Sequence, residues 1–178
     1  AGDVNADGFG DVIIGADGYS NGTAGEGAAF IFLGSAAGLT SGNPATAATR
    51  LESNQLDPIG FGILFGRSVS SAGDVNGDGY GDVLVGAPSY YVNNVQTGAA
   101  FVYHGSASGI PNGDGTTAQT QLQGGPAFNT GFTLSAGDLN GDGYADVVVN
   151  DTVGSNAWTT DVYFGSAAGI ASQVTTAF

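Results

Sequence analysis

Three segments of this 178-residue chain spell nearly the same loop. They run from Asp3 to Asp11 (DVNADGFGD), Asp74 to Asp82 (DVNGDGYGD) and Asp138 to Asp146 (DLNGDGYAD). Their first aspartates lie 71 and 64 residues apart. A second signature follows each loop, at Gly34 to Leu39 (GSAAGL), Gly105 to Ile110 (GSASGI) and Gly165 to Ile170 (GSAAGI). Two motifs recurring in one order define an internal repeat, and a chain built that way folds as copies of one supersecondary unit.

The loops hold nine of the 14 aspartates. Like charges packed this closely repel unless something neutralises them. The pattern D-x-N-x-D-G-(F/Y)-x-D sets side-chain oxygens at positions 1, 3, 5 and 9, and position 7 can add its backbone carbonyl. The predicted ligands are Asp3, Asn5, Asp7, Phe9 and Asp11 in the first loop; Asp74, Asn76, Asp78, Tyr80 and Asp82 in the second; and Asp138, Asn140, Asp142, Tyr144 and Asp146 in the third. An all-oxygen set of this kind suits Ca²⁺, which takes 6–8 oxygens. Three calcium sites are therefore expected. An EF-hand would need Glu at position 12, where Ile14, Val85 and Val149 stand. Turn chemistry alone would ask for only one or two such residues.

The middle repeat reads as strands. Phe61 to Ser71 is a strand of small residues, and Tyr80 to Val85 a short apolar strand buried on both sides, ended by Gly86-Ala87-Pro88. Ser89 to Thr97 is a polar loop, Gly98 to His104 a third strand, and Thr116 to Gln123 a polar outer strand. Four short strands per repeat, glycine and aromatic marks and no helical period describe propeller blades. The predicted class is all-β, with blades of four antiparallel strands and calcium loops. About 2.7 blades are present, as a partial propeller or part of an oligomeric ring. The chain divides at 1–60, which lacks a first strand, 61–130 and 131–178. Its start at Ala1, without methionine, reads as a processed or excised product.

These residues resemble the FG-GAP repeats of the integrin alpha-subunit β-propeller and its bacterial relatives. In the middle repeat Phe61-Gly62 or Phe65-Gly66 leads the first strand, Gly86-Ala87-Pro88 closes the second, and the Asp74–Asp82 loop lies between. The third repeat has Gly131-Phe132 and Asn150-Asp151 at those places, and the first has Gly15-Ala16-Asp17. The resemblance implies a seven-bladed fold, structural calcium on the face opposite the ligand site, and protein or sugar ligands.

Composition excludes several functions. There is no lysine and the only cations are Arg50 and Arg67, against a net charge of −14. A phosphate-tracking nucleic-acid surface needs clustered positive charge, and no stretch is apolar enough to insert in a membrane. Without cysteine there is no thiol chemistry. A lone histidine, His104, and no sequence-paired carboxylates among Asp17, Glu26, Glu52, Asp57, Asp114, Asp151 and Asp161 leave catalysis unsupported. Binding is favoured. The loops Asp17 to Gly27, Ser89 to Thr97 and Asp151 to Thr160 carry Tyr19, Tyr90, Tyr91 and Trp158, candidate contacts for a protein or glycan. The expectation is an extracellular or surface adhesion module, with a lectin or a purely structural segment of a larger protein as alternatives. Open blade edges would favour self-association.

Overall fold

The computed structural model describes residues 1–39, 41–123, 130–153, 157–170 and 176–177. Its strands are β1 (Val12–Ala16), β2 (Ala28–Phe32), β3 (Thr49–Glu52), β4 (Ser68–Gly73), β5 (Asp82–Ala87), β6 (Tyr91–Val92), β7 (Val95–Gln96), β8 (Ala99–Tyr103), β9 (Gly113–Asp114), β10 (Thr120–Leu122), β11 (Thr133–Gly137), β12 (Asp146–Val153), β13 (Ala157–Tyr163) and β14 (Thr176–Ala177). Among the described residues they form three four-stranded sheets, in the orders β1-β2-β3-β9, β10-β8-β5-β4 and β11-β12-β13-β14, and the hairpin β6-β7. Every pairing is antiparallel except β3 with β9. The chain is therefore all-β.

Several strand boundaries differ from expectation, each for a local reason. β4 starts at Ser68 rather than Phe61, because Gly60, Gly62, Leu64 and Gly66 all take positive φ, which a strand cannot continue. β5 runs on through Gly86 and Ala87, paired with Ala100 and Ala99, and stops before Pro88, which has no N–H to donate. The outer strand shrinks to Thr120–Leu122, since Asp114 gathers the Thr116 N–H and hydroxyl into a turn. The third loop expected at Asp151 to Thr160 is largely strand, the arms of β12 and β13.

Two apolar cores lie between the sheets. Ala29, Ile31 and Leu51 of the first sheet pack with Val83, Val85, Phe101 and Tyr103 of the second. The opposite face of the second sheet, with Leu84, Ala100, Val102 and Leu122, packs with Val147, Val149 and Tyr163 of the third. β5 is thus buried on both sides, as its unbroken apolar run predicts. Phe65, not Phe61, is the aromatic of the repeat motif: it is wholly buried, with its ring 5.4 Å from Phe101, while Phe61 is 84% exposed. The neighbouring glycines are required by close approach. A Cβ on Gly86 would overlap the Gly131 carbonyl, and one on Gly15 the Gly66 carbonyl, so the same contact recurs one repeat on.

The register exposes a substitution of one core by another. Gly27 bridges Phe65 in the way that Gly98 bridges Thr130. Val85 pairs with Phe101 where Val149 pairs with Asp161, and Ala87 corresponds to Asp151. Phe65, Phe101 and Ala87 between the first two sheets are thus replaced by Thr130, Asp161 and Asp151 between the second and third.

Candidate functional site

Each aspartate loop folds around its own backbone. Asp74 Oδ1 accepts the N–H groups of Gly77 (2.6 Å) and Asp78 (3.1 Å), and Oδ2 accepts that of Gly79 (2.8 Å). Asn76 Nδ2 donates to Asp78 Oδ2 at 2.9 Å, and Asp78 Oδ1 accepts the Tyr80 N–H at 3.0 Å. Asp82 bridges outward, taking the N–H of Val75 at 2.9 Å and of Gly105 at 2.9 Å. Asp3, Asn5, Asp7 and Asp11 repeat the arrangement, with Asp11 on Val4 and Gly34. So do Asp138, Asn140, Asp142 and Asp146, with Asp146 on Leu139 and Gly165. Gly79 at φ 88° makes the turn without a Cβ penalty.

This geometry corrects the calcium expectation. Among the described residues, no group of three or more His, Cys, Asp or Glu side chains is placed to hold a metal ion. The carboxylates instead accept backbone N–H groups and the asparagine carboxamides, which supply the positive potential the clustered charges need. The donor set therefore does not fit three calcium ions as the sequence suggested. Burial pushes the Asp82 carboxyl up, and the Val75 and Gly105 N–H groups pull against it.

The loops bind repeat to repeat. Gly81 N–H donates to Asp3 O at 2.8 Å and Ala145 N–H to Asp74 O at 2.9 Å. Ser106 N–H reaches Val4 O, and Ser166 N–H reaches Val75 O, both at 3.1 Å. Ser106 and Ser166 are the second residues of the GSASGI and GSAAGI signatures, where each hydroxyl closes its turn on Gly109 or Gly169.

The repeat signatures now have both spacing and packing, and they match a known family. The family described as FG-GAP repeat matches residues 1–32, 65–103 and 130–167. The chain belongs to the FG-GAP repeat family. It is similar to phosphatidylinositol-glycan-specific phospholipase D of Bos taurus, at 35% identity over 83% of this chain and 17% of that protein. Integrin alpha-6 of Homo sapiens is 33% identical over 83% of this chain and 11% of its own length. Integrin alpha-PS2 of Drosophila melanogaster is 35% identical, over 83% and 10% respectively. The FG-GAP chain thus spans a small part of each. Its homology runs mostly to integrin alpha chains, in agreement with the expectation that it is not an enzyme.

The four aromatic candidates have different fates. Tyr90 is buried, edge-on to Phe101 at 5.0 Å. Tyr19 is half-buried, edge-on to Phe30 at 5.1 Å. Trp158 pairs its backbone with Thr152 in β13, and its side chain lies outside the described residues. Tyr91 stands beside a cleft of about 620 Å³ whose lining also includes Gln55, Leu56, Pro58, Asn93 and Asn94. Asn93 and Asn94 lie in the polar loop Ser89 to Thr97 that the sequence marks, whereas Gln55, Leu56 and Pro58 lie outside the marked loops. The Asn93-Asn94 pair was an available signal, as a two-residue hairpin turn. The adjoining loop exposes Leu56 (75%), Ile59 (60%) and Phe61.

That loop is fixed in place. Asp57 accepts the N–H of Ile59 at 3.0 Å and of Gly62 at 2.6 Å. Burial would raise its pKa, but these donors and the Tyr91 hydroxyl outweigh that and hold it below its ordinary value. The Tyr91 phenol is raised in turn, by desolvation first and then by the Asp57 charge. Asp151 and Asp161, unpaired in the sequence, meet between the second and third sheets. Burial, then the Asp161 charge, pushes Asp151 up to about 6. Asp151 is only 2% exposed and sits in the core between sheets, so the pair has no open face for a substrate.

Proposed function

We propose that the chain is a propeller segment of about 2.7 blades, divided near 1–60, 61–130 and 131–178, that serves as a binding and adhesion module. It meets a protein or glycan through the loops that follow the second and outer strands of a blade. The observation that carries this reading is the loop from Gln55 to Phe61. It exposes three large apolar side chains while its backbone is pinned by Asp57 and Gln55. Exposed apolar groups on a rigid loop cost solubility without stabilising the fold, and they mark contact surfaces. Likeness to integrin alpha chains supports an extracellular or surface-associated setting.

The test is binding of the purified chain to arrays of extracellular proteins and glycans. Leu56→Ser and Phe61→Ser are expected to weaken capture about tenfold, which is about 1.4 kcal/mol, without lowering the melting temperature. Unchanged capture by both variants would refute the reading. A second reading is a purely structural segment, favoured by the small share of each relative that the chain spans. It predicts no capture at all.

A further inference from the structure

The cleft beside Tyr91 is built by side chains that brace one another. Gln55 brackets the Tyr91 backbone, donating from Nε2 to the carbonyl at 2.9 Å and accepting the N–H on Oε1 at 3.1 Å. The Asp57 carboxylate lies near enough to the Tyr91 hydroxyl for its charge to add to the desolvation that raises the phenol. Asn93 and Asn94 take φ of 52° and 63°, the left-handed pair of a type I′ turn between β6 and β7. They thereby hold two carboxamides on a short, stiff hairpin at the cleft wall.

The chemistry of the lining is selective. None of its six residues is charged, and three bear carboxamides, each with two N–H donors and a carbonyl acceptor. Tyr91, Leu56 and Pro58 add ring and aliphatic surface. The Asp57 carboxylate at the Tyr91 hydroxyl already takes two backbone N–H groups. Neither arginine lines the cleft, and the chain's charge of −14 repels anions. A volume of this size falls in the usual range for small-molecule sites. An uncharged polyol with one apolar face satisfies all of these constraints.

We propose that this cleft binds a neutral glycan, with one pyranose face on Tyr91 and its hydroxyls paired with the carboxamides of Asn93 and Asn94. The inference rests on the binding-module reading and names its ligand class.

The experiment is saturation-transfer NMR and calorimetry on the intact chain. The probes are chitotriose, cellotriose, maltotriose and mannotriose, with a heparin tetrasaccharide as the anionic comparator. At least one neutral probe is expected to bind. Tyr91→Ala should weaken it about tenfold, and Asn94→Gly, which keeps the left-handed turn, several-fold. Both variants should retain cooperative unfolding, and if Tyr91→Ala fails to fold, Asn94→Gly decides. The proposal is overturned if no neutral probe binds, if the anionic probe alone binds, or if binding ignores the substitutions. If no probe binds but capture still depends on Leu56 and Phe61, only the ligand class falls. Loss of both results removes the binding-module reading as well.

Discussion

Replacing Asp151 by asparagine should stabilise the protein at neutral pH. Asp151 occupies the place that Ala87 holds between the other two sheets, and its carboxyl faces Asp161, Tyr163 and Thr130. Burial and the Asp161 charge raise it from an ordinary value of 3.8 to about 6. The folded state thus holds this proton more tightly than the unfolded chain does. Stability is fullest below the unfolded value and is lost as pH rises through the folded value. A displacement of about two pH units at 1.36 kcal/mol each sets a ceiling of about 3 kcal/mol, reached above about pH 6. Roughly half of it returns by about pH 5. Asp151→Asn keeps a donor toward Asp161 without the charge, so at about pH 7 it should gain about 1–3 kcal/mol, or roughly 3–8 °C in melting temperature. Urea unfolding followed by circular dichroism at the two pH values measures both arms. A variant that melts lower than the parent at neutral pH, or that keeps the parent's rise in stability toward pH 5, would refute the reasoning.

Three other outcomes follow from the packing. Gly86→Ala should cost about 3 kcal/mol, because the new methyl meets the Gly131 backbone and the Ser68 hydroxyl, and backbone must move; a melting temperature equal to that of the parent would contradict it. Phe65→Ala should cost about 3–5 kcal/mol and Phe61→Ala almost nothing, a contrast that chemical denaturation reads directly. Ala6 sits at φ 54° where the other loops have Gly77 and Gly141, so Ala6→Gly should raise stability by about 1 kcal/mol, measured by thermal melting.

The repeat and its sheets were legible because two signatures recur at fixed separation and the β5 run is apolar without alternation. The aspartate loops were half legible. Their spacing announced a shared conformation, but the same oxygens can serve a cation or a ring of backbone N–H groups, and only the fold shows where those N–H groups point. Phe61 and Phe65 both precede glycine, and burial alone separates them. Asp151 and Asp161 looked isolated because pairing across a hairpin depends on register. Aligning the third repeat onto the second would have placed them at the Ala87 and Phe101 positions. The cleft was hidden for a different reason: its walls come from loops of adjoining repeats, and no local pattern reports that Gln55 reaches Tyr91.

Asp3 and Val4 offer carbonyls that only the following repeat fills, through Gly81 and Ser106, and Asp74 and Val75 do the same for Ala145 and Ser166. Much of the stabilisation thus resides in the joints, as in a one-dimensional lattice where nearest neighbours carry the coupling. One repeat in isolation would keep its strands' hydrogen bonds yet lose the acceptors and apolar faces that make them worth forming. Unfolding should then travel joint by joint from an end, and hydrogen exchange should protect the middle sheet, which has a joint on each side, more than either outer one.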